Sequence, residues 1–143
     1  MEANAARLCR YLRILGFDAE MAAGDLYEVA ARAAREGRIL LSRNRRACDL
    51  PLVRAFHLED NEPLEQFRKV VRHFGLAGHA RPFTRCPVCN AELENVEKES
   101  VAGAVPPHTF ATHDRFSRCR GCGRIYWEGT HVQKMRKVLG LDE

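Results

Sequence analysis

A membrane span is the first thing this sequence lacks: no apolar stretch approaches the roughly 20 residues that a bilayer-crossing helix needs. The N-terminus also lacks the uninterrupted apolar core and cleavage pattern of a secretory signal. Both absences lead us to expect a cytoplasmic protein. A large excess of one charge is missing too. Lys and Arg number 23 against 19 Asp and Glu, too even for composition alone to announce nucleic acid. What is present is an ordinary apolar share of 45% over 143 residues, which excludes wholesale disorder. That length allows one domain, or a small domain with a metal-stapled appendage.

Six cysteines allow three disulfides, or one metal site with two thiols to spare. Cys86-Pro-Val-Cys89 and Cys119-Arg-Gly-Cys122 are matching pairs separated by 29 residues. Without a secretory signal, metal is the better reading. A Cys-x-x-Cys turn lets two sulfurs reach one zinc ion, and four thiolates close its tetrahedral shell. The zinc expected on Cys86, Cys89, Cys119 and Cys122 is therefore structural. His108, His113 and His131 are not needed as ligands. Cys9 sits on an apolar helix face and reads as core filler, while Cys48 has no assignment.

Apolar spacing predicts a helix from Ala5 to Leu15 stopped by Gly16, with Arg7, Arg10 and Arg13 as a stripe three residues apart. Phe17 to Met21 alternates as a short strand would. Asp25 with Glu28 resembles a capping box opening a helix that runs to Gly37. Ile39-Leu40-Leu41 suits a buried strand, and another strand is expected near Leu52 to Leu58. Asn61 with Pro63 starts a third helix that ends at Gly75. Helix and strand alternate, so a parallel α/β layer is expected as the core. A linker is expected over residues 75–85, and the remainder reads as too poor in core to fold without its metal.

In an open parallel sheet, ligands bind beyond the carboxyl ends of the strands. Asp25, Asn44, Glu59 and Asp60 follow the strand-like runs, and Glu2 precedes the first helix. Carboxylates gathered there would suit Mg²⁺ or Mn²⁺, hard ions that take oxygen ligands and activate water against a phosphodiester. Singly, each acid has a plainer reading: Asp25 as a helix cap, Glu59 and Asp60 as a solvated turn. Between Arg32 and Arg46, six arginines stand against the single acid Glu36. The arginine fork suits phosphate, and a solvated helix face is the alternative.

The runs Arg7-Leu8-Cys9-Arg10-Tyr11-Leu12-Arg13-Ile14-Leu15-Gly16-Phe17-Asp18 and Glu36-Gly37-Arg38-Ile39-Leu40-Leu41-Ser42-Arg43-Asn44-Arg45 resemble the Mut-seven C-terminal RNase family. So do Arg85-Cys86-Pro87-Val88-Cys89-Asn90, the run from Cys122 to His131, Pro106-Pro107 between the cysteine pairs, and Met135. The resemblance implies a PIN-like three-layer parallel sheet domain over residues 1–78, here lacking its first strand, and a zinc ribbon with a C-terminal tail over residues 79–143. It implies a metal-dependent ribonuclease, with the family's acids falling at Glu2, near Asp25 or Glu28, and at Asn44, an amide where an aspartate is usual. Asp49 or Asp60 would compensate for that lost charge. Arg43, Arg45 and Arg46, with Arg10 and Arg13, are expected to hold RNA. The alternative is a module that binds RNA or a ribonucleoprotein without cleaving. A third reading makes the ribbon a protein-docking surface built on Tyr126, Trp127 and His131, against which stands Trp127 packing on the linker and sheet.

Overall fold

The computed structural model describes residues 5–51, 53–82, 84–127 and 137. The first helix, α1, spans Ala6–Ile14 and buries Leu8, Cys9, Leu12 and Arg13. Helix α2 spans Leu26–Glu36, opened by Asp25, whose Oδ1 accepts the Glu28 amide at 2.9 Å. Strand β1, Ile39–Ser42, pairs in parallel with β2, Arg54–His57, in the register Ile39 with Arg54. Helix α3 spans Pro63–Phe74, with the proline in its first turn, where its missing N–H costs nothing. Gly37 and Gly75 cap α2 and α3 in the left-handed conformation, as their positions after the apolar periodicity predict.

The two faces of β1 explain why its run is apolar throughout. Leu41 joins Leu8, Leu12, Phe67 and Val70, so α1 and α3 cover one face. Leu40 joins Val29, Ala30 and Ala33 of α2 on the other. A strand packed on both sides has no polar face to alternate with. The parallel α/β core is thus present, as two strands among the described residues; the expected three-layer PIN-like sheet is not established beyond that.

Phe17 to Met21 departs from the expected strand and lies outside any sheet. The main-chain groups of Ala19, at its centre, are taken by side chains instead. The Ala19 N–H donates to Asn90 Oδ1, and the Ala19 carbonyl accepts from Arg13 Nε at 2.7 Å and from the Cys9 thiol. The linker is also tied down: the Arg81 N–H donates to the Leu15 carbonyl at 2.7 Å.

A separate antiparallel sheet follows, with β3 (Leu93–Val96), β4 (Phe116–Cys119) and β5 (Ile125–Tyr126) in the order β3-β4-β5. Between β3 and β4 lies a short helix α4, Pro107–Thr112. This part has a small apolar core of its own. Val101, Val105 and Phe116 are buried there, with Val96, Phe110, Ile125 and Trp127 packed against them. Trp127 packs on Phe116 of β4, at 6.4 Å between ring centres. Among the described residues, no helix is long and apolar enough to cross a membrane.

Candidate metal centre and sheet edge

The two cysteine turns are built alike. Cys86 N–H donates to the Ala91 carbonyl and Asn90 N–H to the Cys86 carbonyl. In the second turn Cys119 N–H donates to Arg124 and Gly123 N–H to Cys119. Each turn thereby aims two sulfurs to one side. Cys86 Sγ lies 3.8 Å from Cys122 Sγ, Cys89 Sγ lies 3.3 Å from Cys119 Sγ, and all four sulfurs fall within 4.8 Å of one another. Those separations bracket the roughly 3.8 Å that a tetrahedral ion with Zn–S bonds of about 2.3 Å imposes. They are far too long for a disulfide, and all six cysteines are free. The donor set fits zinc, and the arrangement offers it no open position.

Hydrogen bonding around Cys122 favours its thiolate. The Arg124 main-chain N–H, followed by its guanidinium, holds Cys122 down to about 6 from an ordinary 9.0. Gly121 and Cys122 N–H groups donate to Cys119 Sγ at 3.3 Å. The Tyr126 hydroxyl lies 2.9 Å from Cys86 Sγ; burial first, and then that contact, push the phenol well above its usual range. Tyr126 and Trp127 are thus engaged within their own sheet, and His131 and Met135 lie outside the described residues.

The other candidate site is the carboxyl edge of β1 and β2. Because the strands are parallel, Arg43–Asn44 and Glu59–Asp60 leave the sheet on the same side. Arg43 links them: Nη1 donates to the Asp60 carbonyl at 2.8 Å and Nη2 donates to Asn61 Oδ1. His57 Nε2 lies 3.1 Å from the Arg43 carbonyl. Helix α2 runs back along β1 after a two-residue connection, which directs Asp25 toward this edge.

The candidate acids have local duties. Asp25 caps α2, and Asn44 accepts the Arg46 N–H at 3.0 Å, capping a short 3-10 turn over Arg45–Asp49. Asp60 Oδ2 lies 2.8 Å from Lys69 Nζ. Glu2 lies outside the described residues. Among those described, the four cysteines are the one group of three or more His, Cys, Asp or Glu side chains close enough to share an ion. Asp25 and Asp60 belong to no such group among the described residues.

The arginines divide. Arg45, Arg46 and Arg10 are exposed, with no side-chain partner among the described residues. Arg32 and Arg38 are bound to Asp18, Glu20 and Glu36. Arg13, expected to hold RNA, is only 9% exposed. Its Nη1 donates to the carbonyls of Pro87 and Val88 at 3.1 and 3.2 Å, so it is spent on the first cysteine turn. The helical stripe that grouped it with Arg7 and Arg10 gives no sign of that burial. A cleft of about 480 Å³ lies elsewhere, between Leu12, Phe17, Met21, Leu40, Val70 and Phe74; none of Asp25, Arg43, Asn44 and Asp60 lines it.

No curated protein and no solved structure matches the chain significantly. The family model described as the Mut7-C RNAse domain matches residues 1–139, nearly the whole length. With its cysteine cluster and parallel α/β core, the chain belongs to the Mut7-C RNAse domain family.

Proposed function

We propose that the chain is a ribonuclease that hydrolyses RNA phosphodiesters at the carboxyl edge of β1 and β2, with Mg²⁺ or Mn²⁺ as its metal. Residues 1–78 would form the PIN-like nuclease domain. Residues 79–143 would form a zinc ribbon whose ion is structural, held by Cys86, Cys89, Cys119 and Cys122. The observation that supports the reading is the reach of Arg43 from the end of β1 to Asp60 and Asn61 at the end of β2. That link ties the ends of the two strands, in a family whose name carries ribonuclease activity.

A divalent ion bound there would supply an activated water and charge for the phosphate. The chain's own part is to hold the substrate. Arg45 and Arg46, exposed just beyond Asn44, are free to take RNA phosphates by bidentate hydrogen bonds, and exposed Arg10 extends the basic surface.

A second reading is favoured by the acids' local duties. With Asp25 and Asn44 as caps and Asp60 beside Lys69, the edge would bind RNA or a ribonucleoprotein without cutting it. Cleavage of a labelled single-stranded RNA with Mn²⁺ or Mg²⁺ separates the two, comparing the native chain with Asn44→Asp and Asp25→Asn. Native activity lost in Asp25→Asn supports the nuclease. Silence in the native chain with activity in Asn44→Asp supports a nuclease fold retired to binding. Silence in all three sinks the nuclease and turns attention to protein partners of the ribbon.

A further inference from the structure

The two cysteine turns differ at one telling position. The residue after the second cysteine of each pair is left-handed: Asn90 with φ +68° and Gly123 with φ +77°. Glycine is the ordinary choice there, and asparagine is among the few L-residues that accept it. Asn90 uses its side chain across the molecule. Its Oδ1 accepts the Ala19 N–H at 3.3 Å, and its Nδ2 donates to Asp18 Oδ1 at 2.7 Å. Arg13 closes the same contact from the other side, bridging the Ala19 carbonyl to those of Pro87 and Val88. Asp18 in turn accepts both Nη groups of Arg38, which leads into β1. Gly16 permits the close approach, since a methyl group on it would fall on the Arg81 carbonyl and the Thr84 hydroxyl.

We propose that the first cysteine turn is a clasp that fixes residues 17–20 on the α/β body, with Arg13 and Asn90 as positioning residues. Zinc occupancy and the order of that segment are then coupled. The proposal rests on the four cysteines holding zinc. The segment has no ladder of its own, so Asn90 of the turn and Arg13 of α1 do for Ala19 what a neighbouring strand would otherwise do. The carbonyls of Pro87 and Val88 converge on one guanidinium only while the turn is closed. Four thiolates around a dication also leave a net negative centre, which the Arg13 charge complements. Residues 17–20 wall the cleft between α1, α2 and β1, so releasing them would open it.

Coupling is reciprocal: whatever zinc adds to the clasp, the clasp adds to zinc affinity. The test uses the full chain, with zinc stoichiometry measured first and hydrogen exchange followed by mass spectrometry. Asn90→Gly keeps the left-handed turn and removes the clasp side chain; Arg13→Lys keeps the charge and loses the fork. In both, zinc should remain bound one to one, with affinity in chelator competition lower by about tenfold. Amides of residues 17–20 should exchange at least about tenfold faster, those of α2 unchanged. Stripping zinc from the native chain should loosen the same segment. Unchanged exchange and affinity in both variants would overturn the clasp, as would a rise spread evenly over α2. A native chain that binds no zinc would sink both the metal reading and the coupling.

Discussion

Asp25 caps α2 and is also proposed to hold the metal, and a substitution must separate the two roles. As the cap of α2 it accepts a main-chain N–H, and Asp25→Ala removes that at a cost of about 1 kcal/mol. Asp25→Asn keeps an acceptor in place and removes only the charge. Equal melting temperatures for native and Asp25→Asn protein, with cleavage lost, would assign the carboxylate to chemistry. A matching fall in both would leave it a cap. Cys122 gives a second residue-scale prediction. Its folded value is depressed from 9.0 to about 6, so its contribution is full above 9.0 and is lost as pH falls through about 6. Arg124→Gln retains the main-chain N–H, the larger cause, and removes the guanidinium. Zinc release, followed with a chromophoric chelator as pH is lowered, should then begin at a higher pH than in the native chain. An unmoved release curve would exclude the guanidinium's part. The buried Phe67, edge-on to Tyr11 at 5.7 Å, should cost about 3–5 kcal/mol on truncation to alanine, read by urea unfolding.

Among the elements, α1 does more than its periodicity announces. Its apolar stripe packs on α3, while its last turn carries Arg13 into the cysteine turn and its stop, Gly16, receives the linker. Gly16→Ala combines a left-handed backbone at φ +92° with a collision against main-chain atoms that cannot swing aside. We expect a loss of at least about 1–2 kcal/mol, with the thermal melt reporting it. A melting temperature within error of native would show that residues 81–84 can move away. Phe17 to Met21 shows the limit of alternation as a signal. The pattern suits a strand, yet a strand needs a neighbour's amides, and here side chains of α1 and of Asn90 take that place. The residues between β3 and β4 show the reverse. They supply Val101, Val105 and Phe110 to a small core that no short-range spacing predicts.

At the scale of the whole molecule, the α/β body and the C-terminal sheet each have an apolar core, and the four cysteines are placed to add an ion to the second. Structural zinc sites in small domains supply about 10–16 kcal/mol at neutral pH, more than the C-terminal cluster of a few apolar side chains can replace. Chelation should therefore unfold the C-terminal sheet first. Trp127, the one tryptophan, packs on Phe116 and reports that event by fluorescence, while helical circular dichroism reports the α/β body. Tryptophan emission shifting to the red with most helical signal retained is the expected result. Coincident loss of both signals would mean that the body cannot stand without the ion, and no change in either would remove zinc's structural role. Legible in the residues alone are the features that short spacings control. These are the helix caps at Asp25, Gly37 and Gly75, the doubly buried β1, and the paired cysteine turns, since each depends on neighbours within a few positions. Long-range packing buries Arg13, brings Asn90 to Asp18 and Ala19, and lays Trp127 on Phe116. The contacts of Arg13 and Asn90 join residues 71 to 75 positions apart, where packing, and not local periodicity, chooses the partner.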